Sequence, residues 1–131
     1  MIGLDTNILV RYFVKDDPEQ TRQAVNLIYA LSPAEPGWVG LAALLELVWV
    51  MTRIYRVKKD RVVQILDILL TSEDIAVEQT DTVRKALRLY RSGNADFPDC
   101  LIASSAKAAG CSRTVTFDRR AARDAGMELI A

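Results

Sequence analysis

Five carboxylates stand where a plain surface role explains them poorly: Asp5 after MIGL, Glu46 inside GLAALLELVWVM, Asp96 and Asp99 on either side of Phe97-Pro98, and Asp118 after TVTF. Asp5 and Asp118 each follow an apolar run that reads as a strand, and in open parallel sheets ligands bind beyond the carboxyl ends of strands. Each also precedes a helical segment, so a capping role is the competing explanation. Pro98 in a first helical turn would put Asp96 and Asp99 near the positive end of a helix. One cap accounts for one acid there more easily than for two. Glu46 has Ala42, Ala43, Trp49 and Val50 as its helical neighbours, with Arg53 the next polar residue on that side. A carboxylate among apolar groups is costly unless it is paired or serves a site. Asp67 provides the contrast, because it shares a polar stripe with Asp60, Gln64 and Thr71 and reads as solvent-facing.

Carboxylates repel, and a shared cleft would need a cation to neutralise them; hard oxygen ligands favour magnesium or manganese. The chemistry that follows is a metal-dependent reaction on phosphate. The sequence contains no histidine, which excludes serine–histidine triads, cysteine–histidine pairs and histidine acid–base nucleases. Lys plus Arg and Asp plus Glu each total 17, so no global field gathers nucleic acid, although a local basic patch is compatible with these numbers. The two cysteines, Cys100 and Cys111, lack the spacing of a zinc site or a disulfide framework, and a reduced, cytoplasmic setting is expected. The start MIGLD lacks the pattern of a signal peptide, and no run approaches the ~18 apolar residues of a membrane span.

The elements that must position these acids alternate. MIGL reads as a short buried strand, followed by a helix through ILVRYFV and another through PEQTRQAVNLIYAL, with Trp38-Val39 as a brief strand. The spacing predicts a strongly apolar helix from Leu41 to Tyr55 and an amphipathic one from Lys58 to Thr71. IAVEQ is a strand, TVRKALRLYRSG a helix closing on Gly93, and NADFPDCLIASSAKAAG a helix ending at Gly110. RTVTF reads as a buried strand, RRAARDAG as a short helix and MELI as a last strand. Strands separated by helices predict a single α/β domain over residues 1–131, with a mostly parallel sheet and helices on both faces.

LDTNIL at Leu4 to Leu9, the helix LAALLELVWV, ADFPDCLIA and TVTFDRRAAR together resemble the PIN-domain family, in particular the VapC-type toxin ribonucleases of toxin–antitoxin pairs. The resemblance implies a three-layer α/β/α sandwich with a central, mostly parallel sheet. It assigns Asp5, Glu46, Asp99 and Asp118 to an acidic magnesium or manganese site, with Asp96 an additional acid and Thr6 and Asn7 supporting the first motif. It further implies hydrolysis of RNA, a homodimer and a cognate antitoxin. Two positions depart from the pattern: Gly40-Leu41-Ala42 stand where a small hydroxyl residue often precedes the glutamate helix, and Phe117 stands where many relatives carry a polar residue.

Two other functions compete. A magnesium phosphohydrolase of haloacid-dehalogenase type also begins with an acid after a strand, but that chemistry wants a second aspartate where Asn7 stands. A non-catalytic module binding RNA or protein would have little use for the full acid set. Arg11, Lys15, Arg53, Arg56, Lys58, Lys59, Arg119 and Arg120 are candidate contacts to an RNA backbone. The apolar faces of LAALLELVWVM and VVQILDILL suit a homodimer or an antitoxin groove as well as a core.

Overall fold

Short apolar runs, each cut off by a helix start or a turn, make three parallel strands in the first part of the chain. Strand β1 (Ile2–Gly3) pairs with β2 (Gly37–Val39), and β2 pairs with β3 (Ile75–Val77). Ile2 lies opposite Gly37, and Val39 opposite Val77. Parallel strands need crossover connections, which here are helical. Helices α1 (Thr6–Val14) and α2 (Pro18–Tyr29) link β1 to β2, and α3 (Leu41–Trp49) and α4 (Lys59–Thr71) link β2 to β3. The computed structural model describes residues 1–130, which fall into two compact units divided after Glu78.

The core of the first unit follows the helical periodicities. Leu9 and Val10 of α1, Leu44, Leu47 and Val48 of α3, and Val62, Ile65, Leu66 and Leu69 of α4 are all buried, as is Val39 of the central strand. Burying one such side chain stabilises by roughly 1.5–3 kcal/mol before entropy is counted. Asp60, Gln64, Asp67 and Thr71 are exposed, as their stripe predicts.

The expected helix from Leu41 to Tyr55 is continuous but changes type. It is α-helical to Trp49 and then π-helical over Val50–Ile54, where the Tyr55 N–H donates to the Val50 carbonyl at 3.2 Å. The Thr52 hydroxyl donates to the carbonyls of Val48 at 2.8 Å and Trp49 at 3.3 Å. Such back-bonding competes for the carbonyls of the helical ladder and favours a local widening. Arg56, at φ 53°, then turns the chain.

A polar clasp holds the end of this segment to α1 and α2. Arg11 donates to Asp16 at 3.1 Å and to Gln20 at 2.6 Å, while the Tyr55 hydroxyl donates to Asp16. The Tyr55 hydroxyl, helped by the backbone and Arg11, holds the Asp16 carboxyl below its usual range despite some desolvation. A depressed folded-state pKa means the clasp contributes fully above the unfolded-state value and is lost as pH falls through the folded one. Asp16→Asn is therefore expected to lower the melting temperature at pH 7 and to matter progressively less below about pH 4; melts across that range test it, and a pH-independent gap would contradict it.

The second unit is built from α5 (Thr80–Ser92), α6 (Phe97–Ala108), β4 (Val115–Thr116), α7 (Arg119–Asp124) and β5 (Glu128–Leu129). Strands β4 and β5 are parallel, with Val115 opposite Glu128. Val83, Ala86, Leu87 and Tyr90 of α5 are buried, as are Phe97, Cys100, Leu101 and Ser104 of α6. Arg84, Lys85, Arg88 and Arg91 face out. The rings of Tyr90 and Phe97 meet edge to face at 5.8 Å, a favoured aromatic geometry. Gly110, at φ 93°, supplies the left-handed turn that follows α6.

Every strand pairing among the described residues is parallel, as the alternation of elements predicts. The expectation of buried strands at both ends of the chain is corrected. Ile2 is partly exposed, Val115 is 47% exposed and Phe117 83% exposed, so the apolar run at TVTF alternates faces rather than burying both. No helix among the described residues is long and apolar enough to cross a membrane.

Candidate active site

Asp5 ends the β1 run and begins α1. Its Oδ1 accepts the Thr6 N–H at 2.8 Å, so the capping explanation holds, yet the carboxylate is exposed and its other oxygen remains available to a ligand. Asp5 lines a cavity of about 440 Å³ in the first unit, together with Thr6, Trp38, Ala42, Ala43, Glu46 and Glu78. Thr6 is buried in its wall, whereas Asn7 lines a separate groove between α1 and α2.

Glu46 is not the buried charge that its neighbours suggest. The Ala42, Ala43 and Trp49 side of α3 is an open apolar wall rather than core, and Glu46 is exposed upon it. No ion pair holds it among the described residues, so pairing does not account for its position. A carboxylate set in an apolar wall beside Asp5 can approach a cation with few competing protein donors.

In the second unit Asp96, Asp99 and Asp118 act on one another. Asp96 caps α6, its Oδ1 accepting the Asp99 N–H at 2.9 Å. Asp118 caps α7 through Oδ1, which accepts from Arg120 N at 2.8 Å and Ala121 N at 3.4 Å, while its own N–H donates to the Thr116 hydroxyl at 3.0 Å. Asp99 caps nothing. Partial burial, followed by the charges of Asp96 and Asp118, pushes its carboxyl above the usual range. Tyr90 feels the same concentration of charge: its hydroxyl is raised by burial first and by Asp96 next.

Capping and function are therefore compatible here. A cap uses one carboxylate oxygen and fixes the rotamer, and the second oxygen is left in a defined direction. Within either unit, no three Asp, Glu or Cys side chains gather tightly enough among the described residues to form a metal cluster by themselves. The donor set nevertheless suits a hard divalent cation: it is all oxygen, and a cation would relieve the repulsion that raises Asp99.

Glu78 is the carboxylate that sequence reasoning missed. It follows β3, and its Oε1 accepts the Leu41 N–H at the start of α3 at 2.8 Å. The rule that singled out Asp5 and Asp118, an acid just past an apolar strand, applies equally to IAVEQ. The basic candidates separate as well: Arg11 is committed to its clasp, whereas Lys15, Arg53, Arg56, Lys58, Arg119 and Arg120 are exposed.

The chain is similar to "VapC ribonuclease" of Aquifex aeolicus (strain VF5), 28% identical over 118 residues that cover 89% of this chain and 87% of that protein. The PIN domain model matches residues 2–126, a span that takes in all five acids and runs through both compact units; the chain belongs to the PIN-domain family.

Proposed function

We propose that this protein is a divalent-cation-dependent endoribonuclease of VapC type, the toxin of a toxin–antitoxin pair acting in the cytoplasm as one PIN-like domain. The observation that carries the reading is the PIN-domain match over residues 2–126, which takes in all five acids; burial, then the charges of Asp96 and Asp118, push the Asp99 carboxyl above its usual range in keeping with it. The similarity to a VapC ribonuclease supplies the substrate class. Asn7, where a dehalogenase-type phosphohydrolase would need its second aspartate, faces the α1–α2 groove instead of the Asp5 cavity, which favours the nuclease.

Asp5, Glu46, Asp99 and Asp118 would hold magnesium or manganese, with Asp96 as an additional acid. Such an ion, when bound, acidifies water and stabilises charge on a phosphate undergoing in-line attack. The chain's residues do the rest: caps hold Asp5 and Asp118 in fixed rotamers, α6 presents Asp99, and the apolar wall around Glu46 limits competing hydration. Exposed Lys15, Arg53, Arg56, Lys58, Arg119 and Arg120 are candidate backbone contacts. Trp49, Ile54 and Ile68 leave apolar surface that a second copy of the chain or an antitoxin would cover.

The end groups of the cleaved RNA test the reaction. Metal-assisted hydrolysis predicts a phosphate on one new end and a free hydroxyl on the other, read by mass spectrometry. A cyclic 2′,3′-phosphate would show attack by the ribose instead and would overturn the proposal.

A further inference from the structure

Helix α3 carries Glu46 and begins at Gly40, which has no side chain to accept the amides that a first turn leaves open. The Leu41 N–H donates instead to Glu78 Oε1 at 2.8 Å, from a residue 37 positions away in sequence. Residue 40 is also crowded by the Trp38 ring. A Cβ there would stand 2.8 Å from Trp38 Cη2, 3.0 Å from Cζ3 and 3.5 Å from Glu78 Oε1. A serine there would need the Trp38 ring to move, whereas Glu78 Oε1 lies at ordinary contact distance and already accepts the Leu41 N–H.

The backbone holds Glu78 in this place. Its N–H donates to the Val39 carbonyl at 2.9 Å, which adds a rung to the β2–β3 ladder directly before Gly40. The carboxylate also sets a negative charge at the positive end of α3. Glu78, Gly40 and Trp38 line the same cavity as Asp5 and Glu46.

We propose that Glu78 is a positioning residue: it caps α3 from β3 in place of residue 40 and so fixes where Glu46 meets the cavity it shares with Asp5. Its catalytic consequence rests on the ribonuclease reading; the cap itself does not. The first turn of α3 depends on an acceptor supplied by the sheet, so any shift of that acceptor moves the start of the helix that bears Glu46.

Glu78→Gln keeps an oxygen acceptor and removes the charge, whereas Glu78→Ala removes both. Amide hydrogen exchange at Leu41, followed by NMR, is expected to speed up about fivefold in the alanine variant and to stay near wild type in the glutamine variant. RNA cleavage is expected to lose about tenfold in kcat with KM little changed in Glu78→Ala, and to recover to within about twofold in Glu78→Gln. Glu78→Gln failing as badly as alanine would show that the charge is what matters and would overturn the proposal, as would wild-type kcat in Glu78→Ala. If the wild-type protein cleaves no RNA, the ribonuclease reading falls, and Leu41 exchange still decides the cap. If Glu78→Ala does not fold, the kcat of Glu78→Gln alone decides between acceptor and charge.

Discussion

Asp99→Asn is expected to reduce RNA cleavage by at least about 10³-fold while leaving the fold intact and, without divalent ions, slightly more heat-resistant. The two effects have one cause. Burial and the charges of Asp96 and Asp118 raise the Asp99 carboxyl above its usual range, so the folded state binds this proton more tightly than the unfolded chain. Stability from this group is then greatest below the unfolded-state value and falls as pH rises through the folded-state one. Asparagine mimics the protonated form and removes that penalty at neutral pH. The lost charge at the helix start works the other way, by roughly 0.3–1 kcal/mol in general. Burial and repulsion, which push this carboxyl up, are expected to outweigh that loss. Partial exposure and screening keep the net gain small. Melting curves in chelator, run beside cleavage assays, separate the two effects. A variant both inactive and markedly less stable would mean that Asp99 is structural.

Phe97→Ala is expected to cost about 3–5 kcal/mol, the range for deleting a fully buried aromatic side chain. Phe97 is completely buried, makes an edge-to-face contact with Tyr90 and is the first residue of α6, between Asp96 and Asp99. Total stability of a domain this size is of the order of 5–15 kcal/mol, so the variant should be unfolded or nearly so at physiological temperature. Phe97→Leu keeps most of the volume and should retain the fold. Chemical denaturation read by circular dichroism gives the magnitude; a loss below about 1 kcal/mol would contradict the packing described.

Most of the element order was legible in the sequence, because the helices of this chain obey their periodicities. Val83, Ala86, Leu87 and Tyr90 pack inward while Arg84, Lys85, Arg88 and Arg91 face out, as the amphipathic pattern of TVRKALRLYRSG requires. The caps at Asp5, Asp96 and Asp118 were legible too, since each starts a helix through local bonds that depend on nearby residues alone. What escaped was non-local. Whether the wall around Glu46 is core or cavity depends on what packs against α3, and the role of Glu78 depends on a hydrogen bond to a residue 37 positions away in sequence. The π-helical turn at Val50–Ile54, beside which the Thr52 hydroxyl bonds the Val48 carbonyl, is a hydrogen-bonding choice that no hydropathy pattern encodes. At TVTF the misreading had a different source: a short apolar run looks the same whether one face or both are covered.

The central claim, that these acids work through a divalent cation on RNA, is tested most directly by one measurement: cleavage of a panel of RNAs by protein purified free of any partner, with magnesium or manganese, with chelator, and with metal restored. The account predicts cleavage with metal, loss in chelator and recovery on restoring the ion, with Glu46→Ala and Asp99→Asn inactive throughout. Undiminished cleavage in chelator, or in both variants with metal present, would contradict it.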